Sequence, residues 1–180
     1  SMHYPLQCIG IPKTIDNDLP FTDTCPGFGS VAKYVAISTL EAGLDIASMA
    51  ATSTKVFILE VMGRHAGWIA ASSALAQQSA KQAPHLILLP EVTFNAERFK
   101  AAVKKHVSTH GYCVVVASEG IKGTDGKFLS ESNSKDAFGH AQLGGVATVL
   151  SNMIQTHFGY KCHWAVSDYL QSAARNIDSR

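Results

Sequence analysis

The feature that most limits what this chain can fold into is a set of short runs that are apolar at most successive positions, and so on both faces, not at every second one. Thr54–Met62, His85–Leu89 and Tyr112–Ala117 are rich in Val, Ile and Leu and too short for buried helices. A strand that is apolar on both faces has to be covered on both faces, which is the condition of a parallel sheet held between helical layers. Segments of helical period separate these runs: Ser30 to about Ala51, Trp68 to Lys81, Asn95 to about Thr109, and Gly145 to His157. Ser30 and Asn95 offer side-chain oxygens suited to capping the helices they open. Leu6–Ile11 and Tyr160–Val166 add two strand candidates, and the end of the chain reads as helical. The alternation predicts an α/β fold, a doubly wound and mostly parallel sheet with helices on both faces, built as one compact unit.

Composition narrows the partners. The 180 residues are 46% hydrophobic and 16% charged, with a formal net charge of +1. A disordered chain needs the opposite balance, and so weak a net charge gives no electrostatic footprint for nucleic acid or an anionic membrane surface. No apolar run approaches the roughly 18 residues of a membrane span, and no charged, apolar and small-residue series marks a secretory leader. Ser1-Met2 reads as a cloning remnant. Cys8, Cys25, Cys113 and Cys162 lack CxxC spacing, which reads as reduced thiols in a cytoplasmic protein with a small-molecule partner.

In a doubly wound fold, ligands sit beyond the carboxyl ends of the strands. The polar strand ends Lys13–Asp18, Met62–His65 and Ser118–Gly120 should therefore converge. Pro12-Lys13-Thr14-Ile15-Asp16-Asn17-Asp18 opens a loop reaching Gly29, long enough to invite a functional reading. It reads either as an Asx-rich turn or as a site in which two carboxylates divide proton transfer and metal support beside a lysine suited to phosphate. Glu60-Val61-Met62-Gly63-Arg64-His65-Ala66-Gly67-Trp68 turns from strand to helix, with glycines that admit a ligand to the backbone and an arginine suited to phosphate. His106 and His110 share a helical face, but Lys104 and Lys105 beside them mark a solvated surface and not a metal site. There is no GxSxG elbow for a hydrolase.

On these residues the sequence resembles the phosphofructokinase family. Pro12–Asp18 is similar to its catalytic signature, Glu60–Arg64 to its sugar-phosphate turn, and Ser118-Glu119-Gly120 to its sugar-binding glutamate. Phe138-Gly139-His140-Ala141-Gln142-Leu143-Gly144-Gly145 and Asp168-Tyr169-Leu170-Gln171 extend the likeness over essentially the whole chain. Lys13 and the Gly139–Gly145 stretch look most like the pyrophosphate-dependent branch. The resemblance implies phosphoryl transfer from pyrophosphate to the 1-hydroxyl of fructose 6-phosphate, a glycolytic reaction. Transfer from ATP, or a non-catalytic regulatory or structural subunit of the same fold, stand as the alternatives.

By the same resemblance, Asp16 is the proton acceptor, Lys13 stabilises phosphate charge, and Asp18 supports Mg2+. Thr14, Ile15, Met62, Gly63, Arg64, Glu119 and the Tyr169-Leu170-Gln171-Ser172 segment would contact the sugar phosphate. Lys55 would reach a neighbouring subunit's substrate, implying a homodimer or higher homo-oligomer. Ser172 stands where close relatives commonly carry arginine, and Arg175, one helical turn on, is expected to substitute for it in part. Family members begin with a donor-gripping strand and loop and end in further helices. Residues 1–180 therefore resemble a central fragment of the catalytic core with both absent, inactive by itself.

Overall fold

The computed structural model of the chain describes residues 5–130 and 145–173. Along the chain the elements are α1 (Phe28–Met49), β1 (Val56–Val61), α2 (Trp68–Ser72), β2 (Leu86–Leu88), α3 (Ala96–His110), β3 (Cys113–Ser118), α4 (Val146–Phe158), β4 (Cys162–Val166) and α5 (Asp168–Ser172). The four strands form one parallel sheet in the order β2-β3-β1-β4, with Val56 level with Cys113 and Cys162, and Glu60 level with Ala117 and Val166.

Alternation along the strands sends successive side chains to opposite faces. Val56, Ile58, Val115 and Ala117 meet Phe99 and Val103 of α3 and Val146, Leu150 and Ile154 of α4. Leu59, Val61 and Val116 meet Val31 and Val35 of α1 and Ile69 and Ala70 of α2. Two of the three doubly apolar runs are thus the central strands β1 and β3, each covered on both sides, while the third, His85–Leu89, contains the half-buried edge strand β2. Burial of each such Val, Leu or Ile is worth about 1.5–3 kcal/mol, which makes this three-layer core the main stabilising feature. The chain leaves β1 through α2 on one face and leaves β3 through α4 on the other. The loops at the carboxyl ends of these neighbouring strands therefore part, opening a crevice there.

The cap at Asn95 is as expected, its Oδ1 accepting from the Arg98 amide at 2.9 Å. Three expectations need correction. The helix assigned to Ser30 starts two residues earlier, because Gly27 adopts φ 89 and its carbonyl accepts the first helical bond, from Val31 at 3.1 Å. Trp68–Lys81 is helical only to Ser72, with a 3-10 turn over Ser73–Ala76. The Ser72 and Ser73 hydroxyls donate back to the carbonyls of Ile69 and Ala70 at 2.7 and 2.6 Å, and such local bonds compete with the helical ladder. Leu6–Ile11 forms no strand. Its Leu6, Ile9 and Ile11 are 73%, 93% and 80% exposed, since an isolated segment gains no ladder bonds and buries no face unless a sheet edge receives it. Residues Phe138–Gly144 of the Phe138–Gly145 motif, and Arg175, lie outside the described residues.

Candidate active site

A cleft of about 560 Å3 opens at the crevice, lined by Lys13, Thr14, Ile15, Asp16, Asp18, Met62, Arg64, His65, Glu119, Tyr169 and Ser172. The three polar segments expected to converge do so. The Lys13–Asp18 loop is tied in place by Asn17, which takes φ 58, accepts from the Cys25 amide at 2.8 Å and donates to the Asp23 carbonyl at 3.4 Å. Thr14 Oγ1 accepts from the Asp16 amide at 3.1 Å. The Asx-turn reading and the catalytic reading are therefore compatible, because Asn17 makes the turn and frees Asp16 and Asp18 to face the cleft.

The turn after β1 is wedged against the loop after β3. Gly63 has φ +124, and a Cβ there would lie 2.6 Å from the Ala66 carbonyl oxygen. Ser118 Oγ donates to the Gly63 carbonyl and accepts from the Gly120 amide. A side chain at Gly120 would collide with the backbone of Arg64. On the far side of the turn, the Gly67 amide donates to Glu91 Oε1 at 2.7 Å. Arg64 and His65 consequently project from a backbone fixed at both ends.

Electrostatically the cleft strains its own acids. Burial pushes the Asp16 carboxyl above the ordinary range, and Asp18 adds to the rise, while Lys13, Arg64 and His65 oppose it. Glu119 is raised in the same way, first by burial, with Arg64 pulling it down and Asp16 pushing it up. The positive charges of Lys13, Arg64 and His65 thus temper the rise that burial and Asp18 impose on Asp16.

Not every residue named from the sequence reaches the cleft. One turn of α5 places Tyr169 and Ser172 on the same face, toward the cleft, while Leu170 is exposed at 68% and Gln171 is buried at 2%. Gln171 Oε1 accepts from the Met62 amide at 3.3 Å, so it orients a lining residue from behind. Gly63 acts through its backbone, as described. Lys55 lies before the amino end of β1, at the opposite end of the sheet, with its Nζ donating to the Ala50 carbonyl. It does not join this cleft.

Sequence reasoning gave no separate role to Glu60, Ser118 or His65. Glu60 is 1% exposed, and its carboxylate accepts from the Gly145 and Ala147 amides at 3.0 and 2.8 Å, clamping the start of α4 to β1. The signal was present in the sequence: a carboxylate inside an apolar strand must find donors. His106 and His110 prove to be part of a larger group with His85, their ring centroids 5.1–5.7 Å apart. Among the described residues no cluster of His, Cys, Asp or Glu is arranged to hold a metal.

The two-faced parallel sheet with a polar crevice at its carboxyl ends defines a doubly wound α/β protein. The chain belongs to the phosphofructokinase family, whose model matches residues 1–166. It is 62% identical over 177 residues to the pyrophosphate–fructose 6-phosphate 1-phosphotransferase of Methylococcus capsulatus, covering 98% of this chain and 42% of that protein. The protein of the same name from Halomonas elongata is also 62% identical, over 99% of this chain and 43% of its own length. The crystal structure of a pyrophosphate-dependent phosphofructokinase from Marinobacter aquaeolei superposes with a TM-score of 0.84 at 59% identity, over 99% of this chain and 41% of that one. The chain thus spans less than half the length of these relatives. Among its described residues no helix is long and apolar enough to cross a membrane.

Proposed function

We propose that the polypeptide carrying this chain transfers a phosphoryl group from pyrophosphate to the 1-hydroxyl of fructose 6-phosphate, giving fructose 1,6-bisphosphate and phosphate in the cytoplasm. The observation that carries this reading is Asp16, partly buried in the cleft with Lys13 and Arg64 acting on it and Glu119 beside it. The names of the close relatives favour the donor and the sugar.

In this reading the sugar 1-oxygen attacks the terminal phosphorus, the bridging P–O bond breaks, and phosphate departs. Asp16 accepts the hydroxyl proton, and its raised pKa makes it a better base than an ordinary aspartate. Lys13 offsets charge on the group in transit, while Arg64 contacts the sugar phosphate. A unit charge at about 4 Å is worth roughly 4 kcal/mol at an effective dielectric near 20, close to a thousandfold in rate if it acts only in the transition state. Glu119 accepts sugar hydroxyls. Ser172 can give the 6-phosphate a single hydrogen bond where arginine would give two.

The donor set suits magnesium, which binds through one or two carboxylates together with substrate phosphates and retained water. Asp18, with Asp16 near it, would hold the ion, which would neutralise phosphate charge. Lys55 can act only on another copy's cleft, so a site completed by a homo-oligomer belongs to this proposal.

The deciding experiment is a donor comparison on the complete natural polypeptide, with fructose 6-phosphate and magnesium present. Pyrophosphate is expected to support turnover at concentrations where ATP does not. Turnover with ATP alone would overturn the donor assignment.

A further inference from the structure

A second hollow of about 670 Å3 adjoins the cleft, with Asn17, Thr22, Asp23 and Trp68 in its wall. Among the described residues two line both hollows, Asp18 and His65. They form the lip between them. A transfer between two substrates needs a boundary at which donor and acceptor meet, and groups on that boundary face the phosphoryl group as it crosses.

His65 is placed for that position. Its backbone is fixed between the wedged Gly63 and the Glu91-bound amide of Gly67. Its ring is backed by Phe128, centroid to centroid 6.2 Å, and Lys122 in turn sits over that phenyl ring at 4.9 Å. The side chain is exposed, and among the described residues no hydrogen bond or ion pair engages its ring nitrogens. It lies close enough to Asp16 for a positive imidazole to favour the ionised carboxylate. A structural surface histidine needs packing behind it. It has no need to stand on the lip that the two hollows share.

We propose that His65 touches the substrate, donating an imidazole N–H to the phosphate group nearest Asp16 and Asp18. The proposal rests on the phosphotransfer reading above. A phosphoryl group in transfer spreads charge over three equatorial oxygens. Lys13 approaches from the long loop and Arg64 serves the sugar phosphate, which leaves the oxygen facing the lip to His65.

The test compares wild type with His65→Phe and His65→Gln in the complete natural polypeptide. The phenylalanine variant keeps a ring against Phe128 but has no donor, whereas glutamine restores one N–H donor. His65→Phe should lower kcat by at least tenfold with KM for fructose 6-phosphate within about twofold and an unchanged thermal melt. His65→Gln should recover most of that loss. A phenylalanine variant with kcat within twofold of wild type would overturn the proposal, as would equal losses in the two variants. Failure of the donor reading is seen separately, as wild type that turns over with ATP and not pyrophosphate, and the comparison is then read on ATP. If neither donor turns over, calorimetric titration with pyrophosphate decides: the phenylalanine variant binds at least threefold more weakly if the proposal holds, and equally if it does not.

Discussion

Two residues show how local environment sets chemistry here. Asp16 is held above its ordinary pKa first by burial and then by Asp18. A carboxyl whose folded pKa is raised stabilises the fold below its unfolded value near 3.8, and that contribution is lost as pH rises through the folded value. At neutral pH the ionised group therefore opposes folding. Asp16→Asn should raise the melting temperature measured at pH 7 while cutting transfer by about 10²–10⁴-fold, the range of a lost general base. A variant that is both less stable and fully active would contradict both assignments. His85 shows the reverse sign. Its Nδ1 accepts from the Val114 amide at 3.0 Å, its Nε2 is buried without a partner, and His106 and His110 crowd it. Burial, reinforced by those two rings, lowers its pKa from 6.5 to about 4. Lys105 adds to the positive surroundings of His106, and Tyr112 packs edge-on against His85 with ring centroids 4.8 Å apart, its hydroxyl donating to the Lys81 carbonyl at 3.2 Å. The unfolded chain takes up a proton here that the folded chain refuses, so stability should fall as pH drops from about 6.5 to about 4 and level off below. The expected loss is about 1–2 kcal/mol, discounted for partial solvation. Urea denaturation at pH 7 and pH 5 measures it, and His85→Phe should flatten the dependence.

Among the elements, the turn after β1 does the most. Strand β1 carries Glu60, which clamps α4, next to its last residue Val61, and then passes into Met62, held by Gln171, and Gly63, held by Ser118. Three other elements therefore fix the direction of Arg64. Gly120 is the tightest of these contacts, because a side chain there meets the Arg64 backbone and not a movable side-chain tip. Gly120→Ala should cost about 1–3 kcal/mol of stability by overpacking. It should also lower kcat/KM by about 10²-fold, since a displacement near 1 Å is enough to spoil alignment. Thermal melts and steady-state kinetics on the same preparation separate the two, and an unchanged kcat/KM would show that the turn is not what positions Arg64. The short α5 illustrates how a contiguous sequence motif is divided in space: Tyr169 and Ser172 face the cleft, Gln171 supports it from inside, and Leu170 faces outward.

At the scale of the whole molecule, site and fold are one decision. The crevice exists because β1 and β3 send their connections to opposite faces of the sheet, and the residues on the parting loops are those available for chemistry. Exposed Trp164, Val166, Tyr169 and Leu170 follow the β4 edge into α5, in a chain whose matched relatives are more than twice as long. The sequence by itself determined the doubly covered parallel sheet, because a run apolar on both faces has no other stable setting. It also singled out Lys13, Asp16, Asp18, Arg64 and Glu119 by motif, and the structure brings these five side chains to one cleft. It overreached at Leu6–Ile11 and beyond Ser72, where strand and helix propensity need a partner or an uncontested ladder to be realised. Which of Tyr169 to Ser172 meets the cleft, how Glu60 and Gln171 support it, and that His65 stands on the lip of two hollows were decided only by tertiary structure. Those facts depend on distances between residues far apart along the chain, such as Glu60 and Gly145 or Met62 and Gln171, which no local spacing encodes.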